Sequence, residues 1–171
     1  MRMNVRAKTL YEVECWRPVG DGGGALSHYE LAWQDDFQNI VVTSGLNKLL
    51  DAALKTGLAS PLWYVGLKGT GSVVLADTMA SHGGWTEDQN YSQGTRPAFT
   101  PGTISAGSVD NSASKAQFSM NASTTIYGAF MTDNATKGGT TGTLYGAGDF
   151  AGSRAVQSGD TLNVQITASV S

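Results

Sequence analysis

Cysteine and histidine, which most often build metal sites and nucleophilic centres, are nearly absent from this sequence. Cys15 is the single cysteine, and His28 and His82 are the only histidines. One cysteine excludes a disulfide framework or a thiolate metal cluster within one chain. Two histidines exclude a metal site built from several imidazoles. Cys15 falls in a strand-like run, for which a small buried thiol is the expected state.

Charged residues are also scarce. They make up 15% of the 171 residues and give a net charge of −3, whereas about 25% is typical of soluble domains. The sequence has no basic footprint of the kind that binds nucleic acid, and no run of five like charges. Few charges and 22 glycines suit a surface that packs against other protein.

Long hydrophobic runs are missing as well, since none reaches the roughly 20 residues that span a bilayer. Residues 1–10 contain three basic side chains but no apolar core behind them, so they do not have the pattern of a signal peptide. We therefore expect that the protein does not associate with a membrane and that it is synthesised in a cytoplasm. We expect residues 1–10 to form an N-terminal arm and residues 11–171 a single domain, because this length supports one core.

One segment has helical periodicity, at about residues 44–56. Its apolar residues recur at the spacing that places them on one helix face, and they are Leu46, Leu49, Leu50, Ala53 and Leu54. Thr43 or Ser44 is a candidate N-cap, and Gly57 a left-handed stop. We expect this face to cover a sheet, so Leu50→Asp should prevent soluble folding by placing an unpaired charge beneath the helix.

The segments around the helix read as strands. Residues 9–16 alternate as in a strand that tolerates an edge position, residues 29–33 give a second short strand, and Asp35 and Asp36 suggest a turn. Residues 62–67 are too continuously apolar for a half-exposed strand, so we expect them to lie centrally against the helix. A strand, helix, strand unit is therefore the expected centre of the fold.

The C-terminal third alternates apolar and polar residues. The clearest case is the final strand, whose apolar members are Leu162, Val164, Ile166, Ala168 and Val170. Short strands separated by Gly, Asn and Asp turns predict a mainly β fold, an antiparallel β-sandwich of jelly-roll-like type with one α-helix.

A long irregular passage, residues 76–108, lies between these regions. Its anchors are Trp85, Tyr91, Phe99 and Arg96, the residue types that dominate protein interfaces. Two readings stay open, because such residues either contact a partner or attach the loop to its own core.

Catalytic constellations are weak. His82 has Asp77, Ser81 and Glu87 as sequence neighbours, but triads are assembled from separate segments, so a structural hydrogen bond is the default reading. Glycoside hydrolysis uses two carboxylates, and the candidate pairs are Asp77 with Glu87 and Asp35 with Asp36. Their spacing in the sequence decides nothing, because the catalytic role depends on the distance between the carboxylates in the folded protein. We expect no enzymatic activity and no metal or cofactor.

Two kinds of ligand-binding site have partial signals in the sequence. The glycine-rich run at residues 20–24 lacks the following helix with Lys-Ser/Thr that a phosphate loop needs, so a surface loop is favoured. Aromatic residues could form a sugar-binding platform, although on strands they usually belong to the core; they are Trp33, Trp63, Trp85 and Tyr91.

Several segments together resemble a family of small structural proteins of tailed bacteriophages, and they are residues 39–51, 63–67, 77–87, 96–98, 127–130, 137–142 and 159–164. The resemblance covers roughly residues 39–170. It implies a capsid decoration, or cement, protein on the virion surface that binds the major capsid protein, and a homotrimer. A tail or head-fibre component, or a module that binds a carbohydrate on the host surface, is the alternative.

The family offers no catalytic motif, so the resemblance implies assembly contacts. Either the basic arm, which could meet acidic partners on the lattice, or the loop around Trp85 and Arg96 would make these contacts. The candidate contact residues are Arg2, Arg6, Lys8, Trp85, Tyr91 and Arg96.

Overall fold

The computed structural model describes residues 6–21, 25–57 and 59–170. Within these ranges the strands are β1 (Ala7–Gly20), β2 (Leu26–Gln38), β3 (Ile40–Val41), β4 (Trp63–Gly71), β5 (Trp85–Asp88), β6 (Ala98–Phe99), β7 (Ser108–Asp110), β8 (Ala116–Ser119), β9 (Thr124–Thr132), β10 (Leu144–Val156) and β11 (Thr161–Val170). The described chain also has an α-helix, α1 (Thr43–Leu54), and a 3-10 turn at Ser112–Ser114.

The strands form two antiparallel sheets that pack together. The first sheet has the order β2-β1-β11-β7, and β8 pairs with β11 farther along the same edge. The second has the order β3-β10-β9-β4-β5, with β6 also paired to β4. The predicted β-sandwich with one helix is therefore confirmed.

The main core lies between the sheets and follows from strand alternation. In β11, Leu162, Val164 and Ile166 are buried, and their register partners in β1 include Cys15 and Val13. Residues of β4 and β9 belong to the same cluster from the opposite sheet. Alternation in these segments predicted the buried face correctly because a strand buries every second residue.

A second apolar cluster lies on the other face of the second sheet. Phe130 alternates along β9 with Ala129 and Met131, which belong to the main core, so its ring points away from that core. It packs with Trp85 and Met79 from the long irregular passage. The passage is thereby attached to the sheet, and it contains β5 and β6 rather than being wholly irregular.

The N-terminal strands differ from prediction. β1 begins at Ala7 and lies between β2 and β11, so it is not an edge strand and residues 7–10 do not belong to a free arm. β2 continues through Asp35 and Asp36, where a turn was predicted. Asp35 Oδ2 forms an ion pair with Arg154 at 2.5 Å, so this carboxylate has an opposite charge beside it inside the strand. Long hairpin pairing outweighs the local turn preference of two aspartates.

The residues that cap the helix also differ from the prediction. Val42 is the N-cap residue and makes no side-chain capping bond. The predicted caps bond elsewhere: Ser44 Oγ donates to Leu144 O at 2.8 Å, and Thr43 Oγ1 to Leu75 O at 3.2 Å. Gly57 has the predicted left-handed conformation, with φ of 80°.

The prediction of a strand, helix, strand unit at the centre of the fold is wrong as well. β3 pairs with β10, whereas β4 pairs with β9, so the two strands flanking the helix in sequence are not neighbours. The helix itself contacts β10. Sequence adjacency therefore gave the wrong partner for the helix.

The helix approaches β10 through Gly45, its only buried residue. A Cβ atom at this position would lie 2.1 Å from Tyr145 O. We expect Gly45→Ala to displace the helix and lower the free energy of unfolding by about 1–3 kcal/mol, the usual cost of overpacking. Gly152→Ala is the control, because no atom lies within 4 Å of the added methyl. Equal urea midpoints for the two variants would contradict this close contact.

Candidate functional site

Most of the apolar face of α1 is exposed. Leu50 is 57% exposed and Leu54 78%, and Leu46 is also open to solvent. The prediction that the whole face covers a sheet is wrong, because the helix packs through Gly45 and Leu49, and only Leu49 of the four leucines lies against the main core. The prediction that Leu50→Asp prevents folding fails for the same reason, since a charge there stays in water.

An apolar groove adjoins this helix face. It has a volume of about 240 Å³, and its apolar lining includes Leu49 of α1, Ile104, Val109, Tyr145 and Val170. Ile104 and Val170 are themselves exposed. We call the exposed helix leucines and this groove together the helix surface; its members are Leu46, Leu49, Leu50, Leu54, Ile104, Val109 and Val170. Apolar surface of this kind marks interaction sites in soluble proteins.

The described basic residues of the predicted arm lie beside the helix surface. Lys8 is exposed in β1 and pairs in register with Ser169, which lines the groove. Arg6 directly precedes β1 and is exposed. Arg2 falls outside the described residues. The structure thus brings two predicted contact residues next to an apolar patch that the sequence had assigned to the interior.

The other three predicted contact residues are buried. Trp85 is in the second cluster, and its Nε1 donates to Asp77 Oδ2 at 3.0 Å. Tyr91 lies edge-on to Phe118, with 5.0 Å between ring centroids. These aromatic side chains anchor the long passage to its own domain, so their assignment to an external interface is corrected.

Arg96 is likewise an internal anchor. Its guanidinium binds both carboxylate oxygens of Glu87 at 2.8 Å. It also donates to Asn134 O at 2.8 Å and Gly139 O at 3.0 Å, and it lies over the Phe130 ring. The arginine is 1% exposed and joins two loops through these bonds. Its donors are used inside the protein and are not available to a partner.

The residues weighed for catalysis are occupied in other contacts. His82 Nδ1 lies 3.2 Å from Trp85 O, and the imidazole stacks on the Trp85 ring, which confirms the structural reading. Asp77 accepts from Trp85, and Glu87 is paired with Arg96. Across the described ranges, no group of three or more His, Cys, Asp or Glu residues could hold a metal ion.

Cys15 has the expected buried state. Its thiol donates to Asp160 Oδ2 at 3.4 Å. Burial, together with the charge of Asp160, raises the pKa of the Cys15 thiol to about 12. The thiol is therefore protonated near neutral pH and is a poor nucleophile.

The aromatic residues that could have formed a sugar-binding platform are not brought together in one. Trp33 lies against Phe150 and Trp63 against Tyr145, while Trp85 packs in the second cluster. Trp16 and Tyr29 instead line one groove on the outer face of the first sheet. The signal for Trp16 was present in the alternation of β1, which sends it to the face opposite Cys15.

Sequence reasoning missed Ile104, Val109 and Val170 as parts of the helix surface, because nothing in their local pattern shows that β11, the loop before β7 and α1 meet.

Within the described ranges, none of the helices has the length and apolarity that a membrane span requires. No protein-family model matches the chain, and a search of curated proteins found no match.

Proposed function

We propose that this protein is a structural subunit of a tailed-phage virion, a decoration protein that binds the major capsid protein and stabilises the shell. The observation that carries the proposal is the helix surface. Few monomeric proteins leave an amphipathic helix uncovered, so a partner is expected to cover these leucines. The resemblance of residues 39–170 to phage structural proteins supports a capsid as that partner.

The flanking charges support the same assignment. Lys8 and Arg6 lie beside an apolar patch, in a chain whose net charge is −3. An apolar contact rimmed by basic side chains suits a lattice surface that carries acids around an apolar depression. The apolar centre would supply affinity, and the basic rim would steer the approach.

A trimer fits this role. Capsid lattices contain three-fold positions, and a symmetric cap engages several capsid subunits at once, so binding gains avidity without stronger individual contacts. A ligand that binds only the assembled shell stabilises it by mass action. The protein would therefore need no catalytic group, metal or cofactor, and it would be located on the capsid surface.

A tail or head-fibre component is the alternative within the virion. The two assignments differ in stoichiometry, because a lattice offers many equivalent positions whereas a tail or fibre offers few. Quantitative mass spectrometry of purified particles separates them. Hundreds of copies per virion support decoration, and a few copies refute it.

The helix surface is tested by Leu50→Asp. Leu50 is 57% exposed, so we expect the variant to fold and to change the free energy of unfolding by less than about 0.5 kcal/mol. We expect it to lose binding to capsids that lack the protein, because the charge must be desolvated in the contact. Urea unfolding and capsid pelleting measure stability and binding, respectively.

Leu26→Asp is the matched control. Leu26 is 58% exposed but lies at the start of β2, outside the helix surface. It should bind capsids like the unchanged protein. If Leu50→Asp also binds normally, or if both variants lose binding equally, the helix surface is not the contact.

A further inference from the structure

The outer face of the first sheet carries a shallow groove far from the helix surface. Its volume is about 440 Å³, and its lining residues are Trp16, Tyr29, Gln117, Ser119, Thr161 and Asn163. The β1–β11 ladder runs from Ala7 opposite Val170 to Trp16 opposite Thr161. At roughly 3.3 Å per residue, these ends are about 30 Å apart. Attachment through the helix surface leaves this groove accessible.

Two aromatic side chains supply the apolar part of the groove. Tyr29 is 45% exposed and Trp16 is half-buried, on neighbouring strands β2 and β1. Trp16 Nε1 donates to Glu14 Oε2 at 3.2 Å, so the only polar atom of the indole is already satisfied. The two rings therefore offer apolar surface to a ligand.

A pair of amides supplies the polar part. Gln117 Nε2 donates to Asn163 Oδ1 at 3.1 Å across the β8–β11 ladder. Within the described residues, Gln117 Oε1 and Asn163 Nδ2 have no protein partner, which leaves one acceptor and one donor side by side. The hydroxyl of Thr161 adds a group that both donates and accepts, and the Ser119 hydroxyl, which already accepts from Gln93 Nε2 at 3.3 Å, keeps its donor.

The lining carries no charge. None of its six residues is ionisable near neutral pH, and the neighbouring Glu14 is already bound by Lys115 at 2.7 Å. An anionic ligand would find no cation in the groove, and a cationic ligand no unpaired carboxylate. The chemistry therefore selects a neutral ligand that combines apolar faces with several hydroxyl groups.

We propose that this groove binds a neutral oligosaccharide. A sugar ring would place its apolar C–H face on Trp16 and Tyr29 and direct its hydroxyls to the Gln117–Asn163 pair. The volume lies within the range of about 300–1,000 Å³ that is usual for ligand sites. This activity is separate from capsid binding, because it uses the opposite end of the β1–β11 ladder.

The test uses the purified full-length chain and an array of neutral hexose and N-acetylhexosamine oligosaccharides of two to four sugars, with phosphorylated counterparts on the same array. We expect binding of one or more neutral saccharides. For the strongest of these, titration calorimetry should show at least a tenfold weaker affinity for Trp16→Ala and for Asn163→Ala. Gln165→Ala, on the same face of β11 but outside the groove, should bind normally.

Two results would overturn the proposal: no neutral saccharide bound at millimolar concentration, or preferential binding of the phosphorylated set. Equal losses in Asn163→Ala and Gln165→Ala would also refute the location. Should Trp16→Ala fail to fold, Asn163→Ala alone decides. Capsid pelleting of Asn163→Ala should be unchanged, so failure of this proposal is distinguishable from failure of the decoration function.

Discussion

Replacing Arg96 by alanine is expected to lower the free energy of unfolding by about 3–5 kcal/mol, the usual cost of removing one partner of a buried ion pair. The substitution leaves Glu87 with a carboxylate whose side chain is 7% exposed and which no longer has a cation beside it. It also leaves the carbonyls of Asn134 and Gly139 without the guanidinium. The thermal midpoint and urea unfolding measure the loss.

The control for this variant is Lys115→Ala. Lys115 pairs with Glu14 at 2.7 Å, but both side chains are partly exposed. Such a pair contributes about 0–1 kcal/mol. Suppose that Arg96→Ala lowers the free energy of unfolding no more than Lys115→Ala does, while capsid binding is lost. Arg96 is then a contact residue, and its internal role is refuted.

Asp160 should carry a measurable part of the acid sensitivity of the protein. Its carboxylate is buried and accepts from Arg17 at 2.8 and 2.9 Å, from the Gln157 N–H at 2.8 Å and from the Cys15 thiol. Burial alone would raise the pKa of Asp160, but these hydrogen bonds outweigh burial and hold the pKa below its ordinary value. The folded state therefore favours the ionised form.

The direction of the pH effect follows from that lowered pKa. Stability from ionised Asp160 is fully present above the unfolded pKa of about 3.9, and it is lost as the pH falls through the lower folded pKa. Asp160→Asn should cost about 2 kcal/mol at neutral pH, since hydrogen bonds to charged groups contribute roughly 1.5–3 kcal/mol. Its stability should then fall less steeply below about pH 4.

Urea unfolding at pH 7, 4 and 3 tests this expectation. Asp51→Asn serves as the control, because Asp51 forms a pair with Lys55 one helical turn away that contributes only a few tenths of a kcal/mol. If the acid dependence of Asp160→Asn is as steep as that of the unchanged protein, the carboxylate is not the titrating group.

Strand alternation made much of the fold predictable. β8 and the first six residues of β11 bury every second residue, and both strands were predicted because one sheet face is core and the other is polar. β2 was harder to predict, since its outer face is open throughout and it holds Asp35 and Asp36, residues with strong turn preference, near its C-terminal end. The pairing partner β1 decides that segment, and no local signal shows it.

The helix shows a different limit. Periodicity correctly indicated which leucines share a face, but it does not show what covers them. The covering depends on Gly45, which lets the backbone approach β10 and sets the rotation of the helix. An exposed apolar face and a buried one have the same sequence pattern, so the leucines that share a face were predicted correctly, but Leu46, Leu50 and Leu54 were wrongly expected in the core.

The long passage, residues 76–108, shows the opposite error, because residues expected at an external interface are internal. Trp85, Tyr91 and Arg96 have the composition of an interface hot spot, and the same residue types also make good internal anchors. The contacts that decide between the two uses join residues far apart in the sequence: Arg96 donates to the carbonyls of Asn134 and Gly139, and Tyr91 packs against Phe118. Only the folded arrangement separates these two uses.

Attachment of this protein to a capsid through the helix surface is tested most directly by complementation of particles that lack the protein. Such particles are incubated with the unchanged protein, Leu50→Asp or Leu26→Asp, and bound copies and heat-induced genome release are measured. We expect the unchanged protein and Leu26→Asp to bind in hundreds of copies and to raise the release temperature, and Leu50→Asp to do neither. Binding and protection by Leu50→Asp equal to those of the unchanged protein would contradict the claim.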